Sequence, residues 1–199
     1  MKIFLNVLVF ILISPMLYAQ SENTSFLSKL YFPFDFGSCI STEKYIKSGS
    51  LVKTGLEYRI KKDKGLFVRF NFDNRTNRFV IPENQSTNVV QGKIKFDDYV
   101  IGPGYRIGTR KIKIFGLSQV GVSGFEFPQV TGSKNNYILS ENSKLTSLIK
   151  LTLGLEYYVA HNAALTFESG YILHGDDSVF WNRQFSVFGF SIGLTTTLF

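Results

Sequence analysis

Three long strands follow one another toward the end of the sequence, and their length constrains the fold more than any other feature. Apolar residues alternate with polar or small ones over residues 149–159, 165–173 and 188–198. Strands in soluble sheets usually have about 5–6 residues. A strand that crosses an outer membrane needs about 9–11, with apolar side chains toward lipid and polar ones toward the lumen. The pattern therefore predicts membrane-spanning β-strands.

A Gly-x-x-Tyr motif precedes each of three short turns. The motif occupies residues 55–58, 102–105 and 154–157. Because neighbouring side chains in a strand point to opposite faces, the glycine and the tyrosine of each motif lie on opposite faces. We expect the glycines to face the lumen and Tyr58, Tyr105 and Tyr157 to form an aromatic girdle at the lipid interface.

The connections between these hairpins are longer and rich in Asn, Ser and Lys. They are expected at residues 41–50, 74–91, 125–144 and 175–183. With a first strand at residues 31–40, the sequence predicts an all-β fold, an eight-stranded antiparallel transmembrane β-barrel with up-and-down meander order. Ten strands are the alternative, if residues 125–144 contain a further hairpin. Long loops on one side and short turns on the other are typical of outer-membrane barrels, with the long loops outside.

Polar residues on the opposite parity from the apolar ones are expected to line the lumen. A narrow eight-stranded barrel is filled by its own side chains, and charges enclosed there are expected to pair. The predicted lumen polar network consists of Lys53, Glu57, Arg59, Arg69, Asp73, Lys150, Glu156 and Glu168. A secreted lipocalin-like barrel is the rival fold, but its apolar residues would point inward.

Two strands fit the alternation poorly. On strand four, Lys93, Lys95 and Asp97 lie on the face opposite to the inward glycines, which is the lipid face. This placement requires either a bulge near residues 97–98 or an upper strand that projects beyond lipid. Strand five places Lys113 on the same face as two large apolar side chains.

Residues 1–19 have the pattern of a secretory signal peptide. One lysine precedes an apolar run, Ser14-Pro15 interrupts that run, and Ala19 offers a cleavage site. A membrane-anchoring helix is the alternative, but the run is shorter than the about 20 residues that a spanning helix needs. The sequence therefore predicts a signal peptide at 1–19 and a single barrel domain at 20–199.

Charge and cysteine content argue against several functions. The 22 basic residues exceed the 15 acidic ones, but they are dispersed and form no basic stripe, so no nucleic-acid partner is expected. Cys39 is the one cysteine of the sequence, which excludes an intramolecular disulfide. With two histidines and no ligand spacing typical of metal sites, we expect no metal and no cofactor.

These hairpins, the signal peptide and the terminal aromatic residue resemble small bacterial outer-membrane barrels of the OmpA/OmpX type and PorT-like barrel domains. The resemblance implies an outer-membrane location in a diderm bacterium, with both termini periplasmic. It also implies contact with outer-membrane lipid and lipopolysaccharide, with the barrel-assembly machinery during biogenesis, and leaves room for an envelope protein partner. Phe199 would be the assembly signal.

The expected function is non-enzymatic, in structure, surface interaction or assembly of a complex. Apolar clusters at residues 79–82, 125–128 and 179–181 are expected contact points in the loops. A narrow small-solute channel is the alternative. The resemblance also raises a lipid-modifying enzyme, with His174 at the outer rim beside residues 176–178, but we favour an ordinary rim residue at His174 and rank the enzyme last.

Overall fold

The computed structural model describes residues 26–43, 46–60, 65–80, 91–133, 136–175 and 186–197. A 3-10 turn at Phe26–Lys29 leads into the barrel. The expected signal peptide and Phe199 lie outside the described residues. The strands are β1 (Leu30–Ser41), β2 (Ile46–Arg59), β3 (Leu66–Val80), β4 (Gln91–Gly108), β5 (Ile112–Ser133), β6 (Asn136–Ala160), β7 (Ala163–His174) and β8 (Ser186–Thr196).

The eight strands form a closed barrel in sequence order. Each strand pairs antiparallel with the next, and β1 pairs with β8 from Phe32↔Thr196 to Ser41↔Val187. Closure leaves no unpaired edge around the wall, which is the way a barrel satisfies its backbone hydrogen bonds in lipid. The predicted eight-stranded antiparallel barrel with meander order is confirmed.

Side chains alternate between the two faces of the wall along most of each strand, with register shifts near residues 46–49 and 158–160. Apolar side chains on the outer face are exposed, for example Leu153 at 69% and Ile192 at 63%, whereas Glu57 and Arg69 inside are fully buried. A water-soluble barrel would show the reverse arrangement. The lipocalin-like alternative is therefore wrong.

The predicted loop at residues 125–144 is instead a continuation of two strands. β5 pairs with β6 without interruption as far as Ser133↔Asn136, so only residues 134–135 connect them. The ten-strand alternative is also wrong, because this hairpin lengthens β5 and β6 and adds no strand to the wall. A polar composition does not prevent strand formation where the backbone pairs continuously.

Beyond the wall, this hairpin projects on its own. The last pair between β4 and β5 is Lys95↔Glu126, and the pairing of β6 with β7 begins at Leu148↔His174. Within the described residues, residues 127–133 and 136–142 pair only with each other. We call this segment, residues 127–142, the projecting hairpin.

Strand β4 contains no bulge. Its register with β3 is constant from Leu66↔Tyr105 to Val80↔Gln91. Ile94, Phe96 and Asp98 consequently face inward, while the charged residues at 93, 95 and 97 face outward above the apolar belt. Sequence analysis left two alternatives for this strand, a bulge near residues 97–98 or an upper part that projects beyond lipid. The structure shows the second.

The short turns lie at the end opposite to the projecting hairpin. Gly65 closes the first with a φ of 70°, a left-handed conformation that glycine adopts without steric cost. Its carbonyl accepts a hydrogen bond from the amide of Arg106 at 3.0 Å. Within the described ranges, no helix is both long and apolar enough to cross a membrane.

Candidate functional site: the filled lumen

The lumen holds a balanced set of charges. Among the described residues, twelve charged side chains are buried, six acidic and six basic. They are Asp35, Glu57, Asp73, Asp98, Glu156 and Glu168, with Lys53, Arg59, Arg69, Arg75, Arg106 and Lys150. Because an unpaired buried charge is costly, this equality indicates an interior that neutralises itself.

Near the short turns, the carboxylate of Glu57 accepts hydrogen bonds from three arginines. Arg59 donates to Glu57 at 2.7 Å, Arg69 donates from two nitrogens at 2.7 and 3.0 Å, and Arg106 donates at 2.6 Å. Arg106 also lies 3.0 Å from Glu156. These side chains come from four strands, so the cluster ties together opposite parts of the wall. We call it the lower cluster.

An aromatic layer packs against the lower cluster. Phe67, Phe115 and Leu117 form a buried apolar group, and the two rings meet edge to face with centroids 5.9 Å apart. The guanidinium carbon of Arg69 lies 4.8 Å from the centre of the Phe115 ring, within the range of a cation–π contact. On strand β5, Phe115 and Leu117 share the inner parity with Lys113. The layer at this level therefore contains both apolar and cationic side chains.

Two glycines make room for these rings. An ideal Cβ at Gly104 would lie 2.2 Å from Phe67 Cζ, and one at Gly154 would lie 2.2 Å from Phe115 Cζ. Each ring lies directly across the strand pair from its glycine, at Phe67↔Gly104 and Phe115↔Gly154. Gly154 is the glycine of the third Gly-x-x-Tyr motif, and Gly55 and Gly102 of the other two also lie on the inner parity.

The middle of the lumen is held by lysine–carboxylate pairs. Lys53 donates to Glu168, which also accepts from Arg69 at 2.5 Å. Lys150 donates to Asp73. Asp35 accepts from Thr166 at 2.6 Å and lies 3.9 Å from Lys53.

A simpler group occupies the end nearest the projecting hairpin. Arg75 donates to both carboxylate oxygens of Asp98, at 2.8 and 3.0 Å, and Ser123 donates to Asp98 at 2.5 Å. Arg75 Nη2 lies 2.9 Å from His174 Nε2. We call Arg75, Asp98, Ser123 and His174 the upper cluster. An upper apolar layer, which consists of Ile46, Phe79, Ile94, Phe96 and Phe125, is buried at the same end.

His174 lies inside the barrel and is only 4% exposed. Its ring packs against Phe96, with centroids 5.7 Å apart. A guanidinium can only donate, so Nε2 accepts from Arg75 and carries no proton in this contact. The ring therefore faces the lumen at the end of β7, whereas a lipid-modifying enzyme would need it at the lipid-facing rim. The residues at 176–178 lie outside the described part of the chain.

The structure brings six of the eight sequence-predicted lumen residues into one connected set of ion pairs, and the other two, Lys150 and Asp73, form a separate pair. Sequence reasoning missed Asp35, Arg75, Asp98 and Arg106. Strand parity could have identified Arg106, which shares the inner face with Gly102 and Gly104. Asp98 was obscured by the bulge considered near residues 97–98.

The three tyrosines expected in a girdle all lie on the outer face near the short turns. Tyr105 is 56% and Tyr157 is 44% exposed, and Tyr58 is half-buried under the ring of Phe26, with centroids 5.0 Å apart. In two of the expected contact points the first residue is not available for contact, because Phe79 and Phe125 are buried in the upper apolar layer, whereas Val80 is exposed. Residues 81–82 and the side chains at 127–128 lie outside what the structure describes. The expected cluster at residues 179–181 lies outside the described residues.

Several buried polar atoms inside the lumen lack a hydrogen-bond partner. They include Asp35 Oδ2, Asp73 Oδ1 and Arg75 Nη1. Atoms of this kind are commonly satisfied by buried water. Within the described ranges, no group of three or more His, Cys, Asp or Glu residues could hold a metal ion. Cys39 is buried and unoxidised, with its thiol 3.3 Å from Asn77 Oδ1.

No protein-family model matches this sequence. No curated protein matches it either. Solved structures, however, share its architecture. Neisserial surface protein A (NspA) superposes with a TM-score of 0.59 at 14% identity, covering 85% of this chain and 97% of that one.

Two further structures extend the comparison. The outer membrane protein OprG from Pseudomonas aeruginosa gives a TM-score of 0.55 at 12% identity, covering 84% of this chain and 94% of that one. The outer membrane enzyme PagL gives a TM-score of 0.44 at 13% identity, covering 82% and 99%. At such identities the likeness concerns the fold, which does not by itself assign an activity. The closed eight-stranded meander and the likeness to NspA and OprG show that the chain has the fold of the small bacterial outer-membrane β-barrels.

Proposed function

We propose that the protein is a non-enzymatic, non-conducting outer-membrane barrel that holds the projecting hairpin at the cell surface for contact with a partner. The observation that carries this proposal is the filled lumen, in which six buried acids and six buried bases neutralise one another. The proposed location rests on the exposed apolar belt and on the expected signal peptide.

Among the described residues, apolar layers fill both ends of the lumen. Phe67, Phe115 and Leu117 close the lumen beside the short turns, and the upper apolar layer fills its other end. Between these layers, charged side chains bridge from strand to strand across the axis. An ion would have to break such pairs and displace the rings, and both steps are costly in a low-dielectric interior. These contacts support a structural plug over a channel.

The same packing argues against catalysis by His174. A general base needs a free acceptor nitrogen within about 2.6–3.2 Å of the proton that it removes. Here Nε2 accepts from Arg75, and the ring lies against Phe96 inside the wall. A lipid outside the barrel does not reach it.

Among the described residues, the projecting hairpin extends furthest from the wall and is well placed for contact with a partner. Each of its strands continues for seven residues beyond the wall. At about 3.4 Å per residue, the ribbon extends roughly 24 Å. Its backbone pairing continues without interruption from the barrel wall, so the hairpin is anchored in the neutral barrel.

Conductance and lipid chemistry test the two negative parts of the proposal. Purified protein in planar bilayers should be silent, whereas the Phe67→Ala/Phe115→Ala variant, without the lower aromatic layer, should show leak currents. Stable unitary conductance of the wild type would overturn the plug.

Mass spectra of membrane lipid should be identical with the wild type, with His174→Ala and without the protein. A lipid species that depends on His174 would overturn the non-enzymatic assignment.

A shortened hairpin tests the surface role. Residues 128–141 are replaced by a two-residue Asn-Gly turn, which favours a tight hairpin. We expect the variant to retain heat-modifiable gel mobility, as a folded barrel, and to lose the surface proteins that cross-link to the wild type. If cross-linking is unchanged, the contact role of the hairpin is wrong.

A further inference from the structure

The outer wall carries a depression within its apolar belt. Its volume is about 680 Å³, and its lining includes Pro103, Gly116 and Ser118. An ideal Cβ at Gly116 would have a leucine methyl carbon, 3.9 Å away, as its nearest neighbour, so the wall is open at this point. Exposed Tyr105 and Leu153 lie directly across from Gly116 on β4 and β6. The depression is therefore a gap between large outward side chains.

A hydroxyl group lies in this depression, deep in the membrane. Ser118 is exposed on the outer face and makes no side-chain hydrogen bond within the described part of the chain. It lies four residues below Val122 and six above Ile112, between the two ends of the apolar belt on β5. At about 3.4 Å per residue and a tilt of roughly 40°, these ends are about 10 and 16 Å away along the membrane normal. Acyl chains offer no hydrogen-bond partner at that depth.

We propose that this wall binds a second copy of the barrel, in the same orientation, across a twofold axis that passes beside Ser118. This inference rests on the proposed outer-membrane location. A hydroxyl is both a donor and an acceptor, so the Ser118 side chains of two copies can hydrogen-bond to each other. Small residues at the contact let two backbones approach closely, as they do between membrane helices.

A ridge beside the depression makes the wall complementary to itself. Leu151 and Leu153 project from β6, and both are exposed. A twofold axis at β5 places β6 of each copy opposite β4 of the other, so this ridge faces the Pro103 side of the depression. Since two barrel walls curve away from their line of contact, large side chains on the flanking strands fill the widening space.

An outward hydroxyl elsewhere on the wall lacks this setting. Thr54 on β2 is exposed, but it lies directly between Phe34 on β1 and Phe72 on β3. The Phe34 ring also packs edge to face against Phe36, with centroids 4.7 Å apart. These rings hold a second barrel away from the backbone of β2. Thr54 is therefore a control that has the same chemistry as Ser118 but no depression around it.

Disulfide cross-linking of full-length barrels in lipid vesicles tests the position of the axis. Ser118→Cys and Thr54→Cys are compared in a Cys39→Ser background, which removes the native thiol. A disulfide forms only where two Cβ atoms come within about 3.5–4.5 Å. Oxidation with copper phenanthroline should convert Ser118→Cys largely into a covalent dimer and leave Thr54→Cys monomeric. Equal dimer yields from the two variants would overturn the interface.

Energy transfer between two labelled populations of barrels, at increasing lipid dilution, measures the affinity. Ser118→Phe fills the depression and should weaken association by about tenfold or more, whereas Thr54→Phe should leave it unchanged. Ser118→Ala should weaken it about threefold, the usual size of a hydrogen bond between membrane segments. A wild type that stays monomeric at every dilution would overturn the interface, and so would association that Ser118→Phe does not weaken.

The variant with residues 128–141 replaced by a tight turn separates this interface from the proposed surface role. It should associate as the wild type does, whether or not it loses its surface cross-links, because the wall contact does not involve the projecting hairpin. Loss of association on shortening the hairpin would place the contact there and overturn the wall interface.

Discussion

The lower and upper clusters neutralise buried charge in different ways. In the lower cluster, Glu57 is shared by Arg59, Arg69 and Arg106, and two of these arginines reach a second carboxylate within 3.0 Å, Arg69 at Glu168 and Arg106 at Glu156. In the upper cluster, Asp98 has one cationic partner, Arg75, which binds both carboxylate oxygens.

The difference concerns redundancy. An arginine lost from the lower cluster leaves Glu57 with two cations, whereas loss of Arg75 leaves Asp98 buried with only neutral donors. The lower cluster depends instead on its central acid, because three guanidinium groups converge there. Variants of single residues therefore separate a shared network from an isolated pair.

The largest effect is expected for Glu57→Ala. Three buried arginines would lose their common partner at once, and we expect a loss of unfolding free energy toward the upper end of about 3–5 kcal/mol. Equilibrium urea unfolding in lipid vesicles measures it. Glu126→Ala, which removes a half-exposed carboxylate on the outer face, should change stability by less than about 0.5 kcal/mol. Similar losses for the two variants would contradict the shared network.

Arg75→Met should cost about 3 kcal/mol, because it leaves the Asp98 carboxylate buried without a cation. Adding Asp98→Leu should restore part of the loss, since the double variant buries no charge there. A double-mutant cycle on the same unfolding measurements gives the coupling between the two residues. Losses that simply add would show that Asp98 does not depend on Arg75.

Gly154→Ala should cost about 2 kcal/mol, since the new methyl group would overlap the Phe115 ring. Gly116→Ala is the matched control on the adjoining strand. The nearest atom to its new Cβ is a leucine methyl carbon 3.9 Å away, so little change is expected. If both variants unfold at the same urea concentration, the aromatic layer is not tightly packed around Gly154.

Apart from the control variants, Arg106→Met should have the smallest effect, about 1 kcal/mol, because Glu57 keeps Arg59 and Arg69 as hydrogen-bond partners. The informative quantity is the ratio of this loss to that of Arg75→Met in the same vesicles. A loss for Arg106→Met as large as that for Arg75→Met would remove the distinction between the two clusters.

Strand alternation was sufficient to predict the barrel and the inner face. Glu57, Arg59 and Glu156 lie on the parity that their strands require, and the structure buries all three. The position of a residue along the barrel axis was harder to infer. Phe79 and Phe125 stand beside polar residues and were expected to be exposed in loops, but strand pairing continues past them and turns both rings inward.

The sequence also could not predict which buried charges would pair with each other. Hydrogen bonds across the lumen join residues such as Arg75 and His174, which are 99 positions apart. Alternation assigns a side chain to a face but does not state which strand lies opposite. His174 has the same inner parity as Glu168 and Ile172. The sequence could therefore have predicted that its side chain points into the lumen, but not which residues it contacts there.

The pairing of β1 with β8 has a consequence for how the chain can be connected. Every other strand pairing joins elements that are consecutive in the sequence, whereas this seam joins Phe32 to Thr196. Closing so distant a contact carries the largest loop entropy of the barrel and is expected late in folding. Once the barrel is closed, every strand has two paired neighbours, so the chain could begin at any strand without changing the wall. Circular permutants that join the ends near Leu30 and Thr196 and open the turn at residues 161–162 would move the seam to β6 and β7 while leaving the lumen unchanged.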